Sequence, residues 1–347
     1  MGSASRRLAG GVDPHDALAL GLQRMSLSRP RVALFPHPEV VEAHYLDADE
    51  SFGEVFTTTV RSTTDAEASG AAMSTVVEQI EHIHTGECFA AKIHRKANKS
   101  LDDVVTELQI LSDLVCHPHI VQLYALYETP TTLIMVTELA TGGPLLGHPA
   151  HKPNGTCPEP LAIQHVRGIC EGVTHMHARC VAHCDLKPDN VMIFGPPHDL
   201  RVRIIGFGLA QTFTKHRRLR RVCGTSAYYS PEMVERYRGV EYDMNASYDK
   251  VIDVWGVGLI AYILLFGSNP FVRGCEHLTH EAILQEDIRI HFPVDSDVSH
   301  AAQACLRGLL DVSPEIRLSA DAALQSDWLR RKSREEAVRS VLGAAAA

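Results

Sequence analysis

The sequence has no CxxC pair, no apolar run long enough to cross a bilayer and no excess of positive charge, and each absence narrows what the chain can be. Nine cysteines are an odd number and lie scattered, which speaks against a disulfide framework or a structural zinc site and for reduced thiols in the cytosol. Twenty histidines are many, yet they show no HExxH or similar ligand spacing, so no zinc site is expected. The most apolar run, Val254 to Phe266, falls short of the roughly 20 residues a spanning helix needs, and Asp253 stands at its start. It reads as a buried helix. The N-terminus lacks an apolar signal stretch, and Arg6 stands where a myristoylation signal wants Ser or Thr, so no membrane association is expected. With 33 basic against 42 acidic side chains the formal charge is −9, a poor match to nucleic acid, whose binders rest on clustered Lys and Arg. What remains is a chain of 347 residues, 45% hydrophobic and 22% charged, enough for one large or two modest globular domains.

Residues 1–38 mix Gly, Arg, Ser and Pro and read as a flexible N-terminal extension. Apolar or alternating stretches at Val40–Leu46 and Gly53–Val60 come next, then a Thr/Ser/Ala-rich piece, Thr57–Thr75, read as an inserted loop of about 57–80. A strand resumes at Cys88–His94. Apolar positions three or four apart from Leu101 to Leu114 mark an amphipathic helix, and Ile120–Tyr127 and Thr132–Leu139 read as strands. Beyond Gly142-Gly143-Pro144 the pattern turns helical, with candidates at Leu161–His177, Met233–Tyr237, Val251–Phe266, Ala302–Leu310 and Ser319–Leu329.

The most informative string is His183-Cys-Asp-Leu-Lys-Pro-Asp-Asn190, which follows a helix and precedes Val191-Met-Ile193. It gathers a carboxylate, an ammonium and a carboxamide in one short arc, the groups with which phosphoryl transfer orients a hydroxyl, neutralises a phosphate and ligates a metal. The string resembles the catalytic loop of eukaryotic protein kinases. Further matches follow over about residues 40–330. Phe89-Ala-Ala-Lys92 resembles the strand motif that carries the phosphate-binding Lys, and Glu107 is placed to pair with it. Thr137 falls at the gatekeeper position, with Glu138 to Ala140 as the hinge. Gly224-Thr-Ser-Ala-Tyr-Tyr-Ser-Pro-Glu232 resembles the end of the activation segment, Asp253-Val-Trp-Gly256 opens the buried helix, and Arg317 is placed to pair with Glu232. Lys187 and Thr225 resemble Ser/Thr-specific members, and His84-Thr-Gly-Glu87, Glu138-Leu-Ala-Thr-Gly-Gly143 and Tyr262-Ile-Leu-Leu-Phe-Gly267 look most like the calcium/calmodulin-dependent kinase group.

The resemblance implies an α+β bilobal protein kinase fold: a small β-rich N-lobe at 39–140, a larger helical C-lobe at 141–330, and a C-terminal tail at 331–347. It implies ATP between the lobes, held by Lys92, Glu107, Val55, Ala90, Glu138, Ala140 and Met192. Asp185, Lys187 and Asn190 would be the catalytic set, with Asn190 also a ligand for Mg or Mn. His183, Phe207, Glu232, Asp253 and Arg317 would be structural, and Leu111 and Leu123 would stack with His183 and Phe207.

Departures from the pattern carry as much weight. Ile204-Ile-Gly-Phe-Gly208 puts Gly206 where the family has the Asp that grips magnesium, and glycine offers no ligand atom. Aligning Phe52-Gly53-Glu54-Val55 with the phosphate-covering loop leaves Ala48 and Glu50 for the first two glycines and adds acidic charge beside a polyanion. Cys184 replaces the Arg that in many members receives an activation-loop phosphate. These losses favour a pseudokinase that binds nucleotide weakly or without metal and serves as a scaffold or allosteric partner. The alternative is an active Ser/Thr kinase with atypical metal dependence. Lys215-His-Arg-Arg-Leu-Arg-Arg221 carries five fixed positive charges and could dock an acidic protein partner or substrate, although a solvated charge run is the plainer reading. The basic run Trp328–Leu342 invites a calmodulin-target reading, but Trp328 also matches the residue that closes the kinase core, and a terminal surface helix is preferred. The expected location is the cytoplasm, with the nucleus left open.

Overall fold

The computed structural model describes residues 42–45, 52–53, 56–62, 75–97, 101–114, 117–129, 131–152, 155–195, 200–214, 219, 222–239, 249–285, 290–293 and 296–331, with backbone alone for 42–45, 60–62 and 101. The chain divides into two units, Met1–Ser112 with Leu123–Leu139, and Asp113–Gln122 with Ala140–Ala347. The expected 1–38 extension and 331–347 tail lie, apart from Arg331, outside the described residues.

The first unit is a six-stranded sheet with one helix. Its strands are β1 (Glu42–Tyr45), β2 (Phe56–Ser62), β3 (Thr75–His82), β4 (Cys88–Arg95), β5 (Leu123–Glu128) and β6 (Thr132–Glu138), in spatial order β1-β5-β6-β4-β3-β2. All neighbours run antiparallel except β1 on β5. The turn between β3 and β4 is closed by two backbone bonds, from Gly86 to His82 and from His82 to Glu87. Phe56, Ile80, Ala91, Tyr127, Ile134 and Val136 form a buried cluster, onto which Phe52 packs with ring centroids 5.3 Å from Phe56 and 5.2 Å from Tyr127. Helix α1 (Leu101–Asp113) buries Val104, Val105, Leu108 and Leu111 and exposes Thr106 and Gln109, the face its spacing predicts.

This topology corrects two readings. Residues 57–62 and 75–80 are strand rather than inserted loop, which leaves only 63–74 as connection, outside the described residues. A loop that covers nucleotide phosphates joins two antiparallel strands next to the strand bearing the Lys. Lys92 lies on β4, β4 pairs with β3 and β3 with β2, so that loop is 63–74 and not 48–55. Gly70-Ala-Ala-Met-Ser-Thr-Val-Val77 then meets the Gly-x-Gly-x-x-Gly-x-Val pattern with Gly70 and Val77, and with Ala72 and Thr75 in place of two glycines. Val77 sits opposite Lys92 in the register. Val55, which lies outside the described residues, precedes β2 and loses its assignment to Val77. The acidic residues Asp47, Asp49, Glu50 and Glu54 leave the phosphate loop with it.

The second unit is mainly helical. It contains β7 (Gly143–Pro144), α2 (Glu159–Ala178), β8 (Val181–Ala182), β9 (Val191–Phe194), β10 (Arg201–Ile204), β11 (Gln211–Thr212), α3 (Pro231–Tyr237), α4 (Val251–Phe266), α5 (Glu276–Leu284), α6 (His300–Leu309) and α7 (Ala320–Leu324). Pro160 sits in the first turn of α2, where a missing N–H breaks no helical bond. Ser299 and Ser319 cap α6 and α7 by accepting from Ala302 N and Ala322 N. Helix α4 is apolar around its whole circumference and buried almost throughout, and no described helix is long and apolar enough to cross a membrane. Helix α5 has no counterpart in the sequence reading, because Glu276-His-Leu-Thr-His-Glu281 is too polar to show an apolar stripe. Trp328 is fully buried, with the Arg167 guanidinium donating to the carbonyls of Leu329 and Arg331 just beyond it. An anchor for calmodulin must be exposed, so Trp328 is withdrawn from that role; the part of the run from Lys332 through Leu342 lies outside the described residues.

Candidate active site

In the first unit, Lys92 projects from β4 and donates to Glu107 Oε1 on α1; Glu107 is 3% exposed and Lys92 25%. Strand and helix each place one partner: Ala90 lies two residues before Lys92, and Glu107 sits on the buried stripe of α1 between Val104 and Leu108. Thr137 and Glu138 end β6, and Leu111 and Leu123 are buried.

In the second unit the string 183–190 is held from beneath by Asp253 in the first turn of α4. Its Oδ2 accepts from His183 N and from His177 Nε2, and its Oδ1 from Cys184 N, each at 2.9 Å. Burial alone would raise the Asp253 carboxyl, but the hydrogen bond and charge of His177 and the two backbone donors outweigh it and hold the group below the usual carboxylate range. His183 is fully buried, donates to Ile205 O at 2.8 Å and lies edge-on to Phe207 at 5.0 Å. Two backbone stretches far apart in sequence are thereby tied to one carboxylate and one imidazole. Cys184 adopts a φ of 65°, rare for a side-chain residue, and its buried thiol donates to Ala182 O. A hydrogen bond with Cys223, together with burial, raises that thiol well above its ordinary range, so no charge takes the place of the absent Arg.

Asp185 is satisfied on both oxygens. Oδ1 accepts from Thr225 N at 2.9 Å and Thr225 Oγ1 at 3.1 Å; Oδ2 accepts from Asn190 Nδ2 at 3.0 Å and faces Lys187 Nζ at 3.4 Å. Lys187 Nζ also donates to Thr225 Oγ1 at 2.5 Å, and Asn190 Nδ2 to Asp185 O at 2.7 Å. Gly224 makes this approach possible: at φ +101° it has no Cβ, and one placed there would lie 2.7 Å from Cys184 O. The Glu232–Arg317 pair forms two parallel bonds of 2.7 and 2.9 Å, with the guanidinium stacked 5.2 Å over Trp255. Met192 on β9 pairs in register with Pro144, and Ala140 O accepts from Gly143 N.

Gly206 is left-handed at φ +79°, and a Cβ there would fall 2.5 Å from Asn190 Oδ1. The Asn190 carboxamide lies against the place where the family's carboxylate would begin. Mg²⁺ asks for near-octahedral oxygen donors. Here position 206 offers none; the Asn190 carboxamide donates to Asp185 through Nδ2 and leaves Oδ1, beside Gly206, as the remaining oxygen of the expected pair, so the residues present fall short of a resident Mg²⁺ site. Of the expected residues, the fold brings Asp185, Lys187 and Asn190 together in one unit, with Thr225 bonded to Asp185, and Lys92 with Glu107 in the other. Thr225 and Val77 were missing from the expected site residues. The first was visible as the residue after Gly224, the second fifteen positions before Lys92, counted back from the His84-Thr-Gly-Glu87 turn.

The protein kinase domain family matches residues 66–329. The match begins after the stretch 48–55, in accord with the strand order. A probable myosin light chain kinase of Dictyostelium discoideum is 33% identical over 231 residues, covering 67% of this chain and 63% of its own length. The calcium/calmodulin-dependent protein kinase type I of Schizosaccharomyces pombe is 33% identical over 268 residues, 76% of each chain. The human type IV enzyme is 33% identical over 267 residues, 76% of this chain and 53% of its own. The chain therefore spans between about half and three quarters of the length of these relatives. The chain belongs to the protein kinase family, and its similarity is to Ser/Thr kinases of the calcium/calmodulin-dependent group.

Proposed function

We propose that this chain is a catalytically impaired Ser/Thr kinase-like protein that binds ATP weakly or without a metal and acts as a scaffold or allosteric partner for other proteins, in the cytoplasm. The observation that carries the reading is Gly206 set against Asn190: the family's metal carboxylate is missing, and Asn190 Oδ1 is left as the oxygen donor of that pair. Loss of one preorganised electrostatic group commonly costs about 10²–10³ in rate, and a missing metal ligand adds to that. The neutral thiol of Cys184 speaks against switching by an activation-loop phosphate. Reassignment of the phosphate loop removes one objection to nucleotide, because the acidic run is no longer counted in that loop. Lys92 with its Glu107 partner supports phosphate binding, with Ala90, Val77 and Met192 as adenine contacts and Glu138 and Ala140 offering backbone groups. Within Lys215–Arg221 the described residue, Leu219, is buried, which supports an anchored basic segment for an acidic protein partner.

The intact Asp185–Lys187–Thr225 arrangement favours a second reading, an active Ser/Thr kinase in which Asp185 orients the substrate hydroxyl and Lys187 and Lys92 neutralise phosphates. Transfer of radiolabelled phosphate from ATP to a basic protein and to the chain itself, with Mg²⁺, Mn²⁺ or chelator, distinguishes the two. The expected result is no transfer above an Asp185→Asn control, together with a nucleotide-dependent rise in melting temperature that persists in chelator and is lost in Lys92→Met. Transfer that vanishes in the Asp185→Asn control overturns the impaired reading in favour of the second.

A further inference from the structure

We propose that His151, Cys157 and His165 bind a zinc ion in the second unit, using none of the residues of the Asp185 loop. One donor atom from each side chain lies within 4.8 Å of the other two. Tetrahedral Zn²⁺ with nitrogen and sulfur ligands sets donors about 3.5 Å apart, so closure asks for shifts of rotamer size. His165 lies on α2 and is 4% exposed. Cys157 lies two residues before that helix and is tied down by its N–H to Leu264 O of α4 at 2.6 Å. His151 comes from the preceding turn, in which its N–H donates to His148 O and Lys152 N to Thr156 O. One ligand is thus seated on α2, the second just ahead of it and the third on the turn at 148–152.

The donors are unspent. Both ring nitrogens of His151 and Nε2 of His165 are buried without a hydrogen-bond partner, and the Cys157 thiol has only a 3.6 Å contact to the carbonyl of the next residue. Such orphaned polar atoms in one cluster call for an unseen partner. Cysteine ligates Zn²⁺ as the thiolate and gives up its proton on binding. Binding therefore reads Cys–SH + Zn²⁺ → Cys–S–Zn⁺ + H⁺, a Lewis acid–base exchange with no redox change. Two imidazoles and a thiolate suit Zn²⁺ rather than Mg²⁺ or Ca²⁺, which take oxygen. The fourth position falls to water or to His148, whose ring centroid is 6.1 Å from that of His151. The spacing His-x5-Cys-x7-His fits no standard ligand motif, which is why the sequence reading expected no zinc.

Titration of the chelator-stripped full chain with Co²⁺ tests the proposal. The expected result is one equivalent bound with thiolate-to-cobalt charge transfer and intense tetrahedral d–d absorption, bleached by Zn²⁺ and accompanied by release of one proton. Cys157→Ala should remove the charge-transfer band. His151→Gln, on a half-buried loop position that leaves the fold intact by circular dichroism, should weaken binding at least about tenfold. Absence of a tetrahedral cobalt spectrum in the wild type, or an unchanged spectrum and affinity in His151→Gln, overturns the assignment.

Discussion

Gly206 and Gly224 act on the same few atoms by opposite means. Gly224 lets the activation segment approach: its missing Cβ admits Cys184 O, and Thr225 N then reaches Asp185. Gly224→Ala forces a side chain into a left-handed backbone against a carbonyl, and should destabilise the protein by about 2 kcal/mol in urea unfolding. Gly206 removes a ligand. Gly206→Asp is tolerable to the backbone, since Asp is among the residues that visit the left-handed region, but Asn190 must swing away from its contact with the new Cβ. The expected outcome is a gain of Mg²⁺-dependent nucleotide affinity of at least about tenfold by calorimetry, with the metal-independent affinity unchanged. A variant whose affinity ignores Mg²⁺ would show that more than the carboxylate is missing.

Among the elements, α4 does most to position the site, because its first turn carries Asp253 and its interior is buried. The short helix α3 is fastened instead by one ion pair: Arg317, whose side chain is fully buried, holds Glu232 and stacks on Trp255. Arg317→Ala leaves Glu232 without its partner and should cost about 3–5 kcal/mol of unfolding free energy, with Arg317→Lys recovering only part, since an ammonium cannot make both bonds. Strand and helix types were legible wherever periodicity was clean, as in Leu101–Leu114 and Val251–Phe266. The phosphate loop was misplaced because Phe52-Gly53 imitates its motif locally. Only the pairing of β2 with β3 and β3 with β4 shows which connection lies beside Lys92, and Phe52 proves to be a packing residue on Phe56 and Tyr127.

The stability of the whole molecule carries a pH signature from buried imidazoles. His117 is lowered to about 4, first by burial and then by His175 and His119, with Arg179 adding to these and Glu171 opposing; its ring lies 4.4 Å from that of His175. Folded His117 thus binds its proton only at a pH well below the 6.5 of the unfolded chain. A depressed folded pKa gives stability that is fully present above pH 6.5 and is lost as pH falls through about 4. The melting temperature should decline over that window, and less steeply in His117→Asn, as calorimetry at stepped pH would show.

Family, lobe composition, the catalytic string and the loss at Gly206 were determined by sequence alone, because each rests on residue types at short spacing that local chemistry demands. Tertiary structure decided what depends on contacts between distant segments. The strand order moved the phosphate loop to 63–74, and burial decided between the two readings of Trp328 in favour of the core-closing residue. The fold gathered His151, Cys157 and His165 from positions without motif spacing. Sequence spacing carries the periodicity of one element; the juxtaposition of donor atoms from a loop and a helix exists only once both have packed.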